Sequence, residues 1–318
     1  MVTTLRHAGG EPAASASTAV RVDSVQPARR RRRSAAVLGS QRYTPKPVRV
    51  LAGVLGTIWL IIVIFPIYYM VLTSFRSQSQ YLSANAWVPT GGLTLSSYSL
   101  MFSGSGIGTL FRNSAELTAG TIVLTVVLSL AAAYRIVRRG SRYGAVSFRL
   151  ILFGLAVPIQ AIVIPIYIIT IKMHLYDRLY GLTLVTAASA IPVAVLLMVN
   201  FVRLIPHQLF DAMSVDGAGE WTVFTRLVVP MARPVLAVVS IFAGLAAWNN
   251  FLLPLILTQS NNDMVLPLGL FRFSTQSEYG IDVPVVMAAV LFSVLPLLLL
   301  YILLRRQFVK GIGGFALR

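Results

Sequence analysis

An all-α integral membrane fold, six transmembrane helices with a cytoplasmic helix-turn-helix loop, is predicted by three observations. The 318-residue chain is 56% hydrophobic and only 12% charged, with a mean hydropathy of +0.77, whereas soluble domains run at about 45–50% apolar and roughly 25% charged. Its charges leave six long uncharged intervals. Its Lys and Arg residues crowd into alternate loops. Helices follow because backbone placed in hydrocarbon must satisfy its own hydrogen bonds.

Residues 1–45 are rich in Ala, Ser, Pro and Arg without an apolar period, so a disordered, basic cytoplasmic tail is expected there. Residues 46–318 are expected to form the membrane domain. The run Arg29–Arg33 resembles a nucleic-acid tag, but ahead of a first span a topology anchor is the simpler reading. The six intervals are Val50–Phe75, Leu117–Tyr134, Leu150–Ile171, Leu179–Val202, Pro234–Asn262 and Val283–Leu304. Each can hold the roughly 20 residues that cross about 30 Å of hydrocarbon. The first is too long for a signal-peptide core and lacks a small-residue cleavage pattern after it, so it reads as an uncleaved anchor. Glu116, at the edge of the second, reads as interfacial.

Orientation follows from the basic residues. Loops 1–49, 135–149, 203–233 and 305–318 hold 10, 5, 3 and 4 of them, while the opposite set holds Arg76, Arg112, Lys172, Arg178 and Arg272. Both termini are therefore expected on the cytoplasmic side of the membrane. Residues 76–112, with "WVPTGGLTLSSY", form the largest external loop, expected to be irregular chain with short helices. Prolines recur inside the intervals at 66, 158, 165, 192, 254 and 296. Pro158 and Pro165, flanking Gln160, predict a bent helix beside a path through the membrane.

Several chemistries are excluded. Without cysteine there is no thiol catalysis, disulfide or thiolate-held metal. His7, His174 and His207 lie too far apart for a metal site, and no GxxxxGK[ST] loop is present to cradle ATP. No cofactor is implied, and any energy source must be external.

Against this background "DAMSVDGAGEWTVFTRLVVP", residues 211–230, stands out for its acids and its Gly-Ala-Gly break. A helix is expected to start behind Pro206, place Leu209, Ala212, Met213 and Val215 largely on one side, and stop at Gly217 and Gly219; a second resumes before Pro230. Asp211, Asp216 and Glu220 keep it out of the bilayer, while its apolar side needs cover. DNA is disfavoured, since Arg203, Arg226 and Arg233 only balance the acids. A membrane surface would call for a Lys/Arg-rich polar face. A protein groove is the favoured partner.

"DAMSVDGA", nine residues from Gly219 to Leu227, and "VVP" at 228–230 resemble the EAA signature of importer permeases in the ATP-binding cassette superfamily, usually written EAA–DGA, spacer, I-x-LP. Asp211 stands for the first Glu, Met213 for the second Ala, Leu227 for the Ile and Val229 for the Leu before Pro230. "FPIYYMVLTSFR" (65–76), "FRNSAEL" (111–117), "AAWNNFLLPLILT" (246–258) and the segment from Met287 to Ile312 look similar to maltose-type sugar permeases, specifically the shorter partner of a two-permease pair. The resemblance implies a coupling helix made of Asp211, Ala212, Met213, Asp216, Gly217 and Ala218, with Leu227 and Pro230 completing the motif, that docks in a cleft of a cytoplasmic ATPase. It also implies a bacterial inner membrane as location, a second permease as heterodimer partner, two ATPase copies, an extracytoplasmic solute-binding protein, a C-terminal tail reaching toward the ATPase interface, and a sugar as cargo.

For the cargo itself, sugars call for aromatic faces and neutral hydrogen-bonding groups, whereas ions call for intramembrane charge. Gln160, Trp248, Asn249 and Asn250 are the polar or aromatic positions set in apolar segments. They are candidate path residues, although amides between helices also serve packing alone. A secondary transporter of a small neutral solute would need internal repeats or intramembrane carboxylates, and a membrane enzyme a clustered nucleophile, base or metal. Neither pattern is evident in the sequence.

Overall fold

The computed structural model describes residues 46–83, 85, 87–88, 92–104, 106–139, 142–275 and 282–316. The tail expected over 1–45 lies outside these. The chain divides into two compact units, 1–58 and 59–318. In the first, the described residues are the exposed apolar opening turns of helix α1 (Lys46–Ser74).

Every described element is helical. After α1 come α2 (Gln78–Ser83), α3 (Ser96–Gly104), α4 (Ile107–Arg139), α5 (Arg142–Phe153), α6 (Ile159–Lys172), α7 (Leu179–Val202), α8 (His207–Val215) and α9 (Glu220–Val223). A π-helical turn, Phe224–Val228, joins α9 to α10 (Val229–Trp248), and α11 (Leu252–Leu257), α12 (Leu266–Thr275) and α13 (Val283–Ala316) follow. Among the described residues, 5 helical stretches are long and apolar enough to cross a membrane: Val50–Ser74, Ile107–Arg138, Leu179–Val202, Glu220–Trp248 and Val283–Leu303.

The third interval departs from expectation. Instead of one bent helix over Leu150–Ile171 there are two, α5 and α6, separated at 154–158 by a tight turn in which Gly154, Leu155 and Ala156 each donate to the carbonyl three residues back. Pro158 explains the break: it has no N–H to continue a helix and disfavours helical backbone at the residue before it. A side chain on Gly154 would come within 2.9 Å of the Pro192 ring, so the turn lies close against α7. At 14 residues α6 extends about 21 Å and is too short to cross hydrocarbon alone. The second interval differs in the other direction: α4 starts at Ile107 and carries Arg112 and Glu116 as an exposed i,i+4 pair 3.5 Å apart. In the fifth, α10 stops at Asn249, and α11 begins where the Asn250 side-chain oxygen accepts the Leu253 N–H at 3.3 Å.

Helices α4 and α7 lie side by side, close enough that a Cβ on Gly120 would sit 2.8 Å from the Thr183 methyl. Their far halves bury Leu130, Tyr134, Val195, Met198 and Val202 together with Phe210, Val228 and Val235. Two further apolar clusters fill the opposite end. One contains Met101, Trp248, Leu266 and Val285, the other Leu117, Leu182, Leu253, Leu257 and Leu268.

Candidate functional site

At the end of the bundle where α4 and α7 terminate, loop 203–233 folds into a projecting knob. Pro206 precedes α8, and the helix ends in a Schellman motif: the Gly217 N–H donates to Ser214 at 3.1 Å and the Ala218 N–H to Met213 at 2.9 Å. This closure needs a left-handed residue, and Gly217 has φ +72°. Beyond it, Glu220 opens α9. The π turn widens the helix just before Pro230, whose ring would collide with the Arg226 carbonyl in a regular α-helix.

The knob divides its apolar residues differently from the sequence pattern. Phe210 is buried, and Met213 and Ala218 pack beside it onto the α4–α7 core. Leu209, Ala212 and Val215, expected to share Met213's side, are exposed, Val215 at 88%. The i, i+3 pair Phe210 and Met213 faces the bundle, which leaves the others on the free side. Trp221 is also 74% exposed. Leu227 packs on the same core, and Pro230 lies in the first turn of α10. Asp211 and Asp216 are exposed and make no ion pair or side-chain hydrogen bond among the described residues. Two arginines of α4 brace the knob: Arg135 reaches Glu220 at 3.3 Å, while Arg138 donates to Ser214 at 3.4 Å and lies 5.6 Å from the centre of the Phe210 ring.

The four candidate path residues do not form one cluster. Trp248 is buried, edge-on to Phe111 at 5.4 Å, and its indole N–H donates to the Ser293 carbonyl. Asn250 reaches the Thr186 hydroxyl at 3.3 Å. Asn249 is exposed, with its amide donating back to Leu245, and Gln160 is exposed in the first turn of α6.

The opposite end of the bundle holds a set of long-range hydrogen bonds that no sequence motif signals. Arg76, only 1% exposed, donates to the carbonyls of Asn85 and Val88, while its own carbonyl accepts from the Ser97 hydroxyl. It thus ties together the loop between α1 and α3. Asp177, left-handed at φ +55°, accepts from the Gln259 N–H, the Ser260 N–H and the Ser260 hydroxyl at 2.8–3.1 Å. Burial alone would raise its pKa, but these donors and nearby Arg178 outweigh burial and hold the carboxyl below its usual range. On the other side, the buried Asn113 amide donates to the carbonyls of Asn262 and Met264 at 2.6 and 2.8 Å, and the Ser114 hydroxyl accepts the Leu266 N–H. Segment 257–266 is therefore pinned from both α4 and the α6–α7 turn. An Asp just before a turn is the only local signal of this arrangement; the rest joins residues about 150 apart in sequence.

A family described as binding-protein-dependent transport system inner membrane component matches residues 125–313. A putative ABC transporter permease protein, ORF2, of Caldicellulosiruptor sp. is 33% identical over 82% of this chain and 94% of its own length. The diacetylchitobiose uptake system permease protein NgcG of Streptomyces coelicolor is 30% identical over 80% of this chain and 84% of its own. The arabinooligosaccharides transport system permease protein AraQ of Halalkalibacterium halodurans is 29% identical over 80% and 91%. Among solved structures, a chain of a bacterial ABC transporter that imports the acidic polysaccharide alginate superposes with a TM-score of 0.76 at 19% identity, covering 84% of this chain and 99% of that one. At that identity the match speaks for the fold.

Proposed function

The chain belongs to the family of inner membrane components of binding-protein-dependent transport systems, and on that premise we propose that it forms half of the path of an ATP-driven oligosaccharide importer. Its relatives NgcG and AraQ are named for diacetylchitobiose and arabinooligosaccharides, which supports a sugar cargo. A second permease completes the path, two copies of a cytoplasmic ATPase supply the energy, and an extracytoplasmic binding protein delivers the sugar. A chain of an alginate importer solved with its loaded periplasmic protein shares this fold at a TM-score of 0.59, which supports the last of these partners. Six crossings are reached when α5 and α6 together make the third, with both termini cytoplasmic as the basic loops require.

The observation that carries the reading is the knob. Leu209 and Val215 are exposed with Asp211 and Asp216 on and at the end of α8, whose other side packs on the α4–α7 core, and Trp221 is exposed on α9 just beyond it. An apolar patch with unpaired acceptors matches a protein groove better than water. Docked there, α8 moves with the groove, and because Phe210 and Met213 are embedded among α4, α7 and α10, the spans move with α8. Leu227 and Pro230 join the knob to α10. Asn249 and Gln160, exposed and neutral, are proposed to face the sugar, with Trp248 and Asn250 shaping the wall behind them.

Gly217 provides the test. No atom lies within 4 Å of a Cβ placed on it, so Gly217→Trp meets only the backbone strain of φ +72°, about 1 kcal/mol, and leaves the spans inserted. Against a docked ATPase the same indole collides. Gly217→Trp is expected to keep membrane abundance while losing ATPase copurification and ATP-driven uptake, and Asp211→Lys to weaken both less severely. Normal uptake with normal ATPase retention in Gly217→Trp would sink the coupling assignment.

A further inference from the structure

We propose that the end of the bundle opposite the knob carries a binding tract for a neutral oligosaccharide, made of two adjoining clefts that share Asn262 and Asp263. The inference rests on the importer reading and adds to it a place and a charge class for the cargo. Arg112 and Arg135, both on α4, are separated by about 35 Å of helix, and Arg135 braces the knob. The clefts at Arg112 therefore open on the far side of the membrane from the ATPase, where a sugar first arrives.

The first cleft, about 520 Å³, is lined by Arg112, Glu116, Tyr180, Thr183, Asn262 and Asp263. The second, about 460 Å³, is lined by Tyr176, Asp177, Arg178, Ser260, Asn262 and Asp263. Each volume falls within the range of about 300–1,000 Å³ typical of small-molecule sites. The shared wall is held in place before any ligand arrives, since segment 257–266 is fixed by Asp177 on one side and by Asn113 and Ser114 on the other. Asp263, half-buried at the crest between the clefts, makes no hydrogen bond or ion pair among the described residues. Its acceptor oxygens are free for a ligand that donates.

Sugar hydroxyls are such donors, and hydrogen bonds to an ionised carboxylate are the strong kind. Tyr180, 57% exposed in the first cleft, offers a ring face to the apolar side of a pyranose. Charge decides the class. The tract's lining holds three carboxylates, Glu116, Asp177 and Asp263, against two guanidinium groups, Arg112 paired with Glu116 and Arg178 next to Asp177, so a uronate entering it would add a further negative charge to a wall where Asp263 already lacks a cation. Like charges placed that close repel. A neutral sugar avoids this cost.

The test uses the complete importer, with its partner permease, ATPase and binding protein, reconstituted in liposomes. Maltotriose, xylotriose and cellotriose serve as neutral probes and trigalacturonate as the acidic one, with uptake and ATP hydrolysis measured together. The wild type is expected to carry a neutral probe and to reject trigalacturonate. In Asp263→Ala sugar carried per ATP should fall about tenfold, the scale of one lost hydrogen bond to a charged group, and in Tyr180→Ala it should fall less through loss of the ring face, while binding-protein-stimulated hydrolysis persists in both. Asp263→Asn, which keeps the side-chain shape, should fall as well, and Asp263→Lys should shift preference toward trigalacturonate. Unchanged sugar per ATP in Asp263→Ala and Tyr180→Ala, or wild-type preference for the acidic probe, would overturn the tract. Loss of hydrolysis-driven uptake of every probe in the wild type would instead defeat the importer reading, and the tract with it.

Discussion

The two ends of the bundle are fastened by different forces. At the knob end α8 is held chiefly by apolar burial of Phe210 and Met213, and its principal charge contact, Arg135 to Glu220, has both side chains about half exposed, where such pairs contribute at most about 1 kcal/mol. At the far end, polar side chains bond directly to loop carbonyls and amides: the buried Arg76 to 85 and 88, the buried Asn113 to 262 and 264, and the half-buried Asp177 to 259 and 260. Apolar contact is non-directional and tolerates small rigid-body tilts. Hydrogen bonds lose strength steeply as their angles change. The difference suits the two proposed roles, transmission of movement at the knob and a fixed binding geometry at the far end.

That contrast can be broken most severely at Phe210. Phe210→Ala removes the ring that seats α8 on α4 and α7, at an expected cost of about 3–5 kcal/mol. It should lower the thermal unfolding temperature of the purified complex and release the ATPase, while leaving the sugar specificity of any remaining uptake unchanged. Asn113→Leu comes next. It leaves the buried Met264 carbonyl and the part-buried Asn262 carbonyl without their amide donor, at a cost of about 2–3 kcal/mol, and should impair sugar carried per ATP before it affects ATPase binding. If both variants reduce the same property in the same proportion, the two ends are not mechanically distinct.

The smallest effect sharpens the contrast through pH. The Asp177 carboxyl titrates below its usual range when folded, so its contribution is complete above the unfolded value and is lost only as pH falls through the folded one. Asp177→Asn should cost about 1–2 kcal/mol at pH 7 and should flatten the loss of thermal stability that the wild type shows on acidification below about pH 4. An identical acid slope in wild type and variant would show that this carboxylate is not the fastening group.

How much of this was legible in the sequence depends on the range of the interactions. The apolar spans were, because hydropathy is summed over 20 or so neighbours and survives local detail. The helix and stop at 207–217 were also legible, since Pro206 and Gly217 act on adjacent backbone. The break inside the third interval was not: an interval without charges looks continuous, and Pro158 inside it was compatible with a bend. Phe210 was overlooked because the charged and small residues around it drew the helical face toward Leu209 and Val215, and only the groove between α4 and α7 decides which face is buried. At the far end, Glu116 reads alone as an interfacial charge, and Asp263 stands about 150 residues away in the polar run 259–263 with nothing local to link the two. Their shared cleft exists only once α4 and the 257–266 segment are brought together.

The π turn at 224–228 gives the chain a property best described as phase. A regular helix fixes the angular position of every later side chain, about 100° per residue, so a widened turn that takes in one extra residue resets that angle for everything downstream. The side of α10 that meets α4, α7 and α13 is thereby set independently of the side of α9 that packs on the α4–α7 core. Within the stretch Phe224–Val228, conservative substitutions leave this offset intact, whereas loss of a single residue would turn all of α10 by more than a quarter revolution against its neighbours. For this part of the molecule the number of residues is a stronger constraint than their identity.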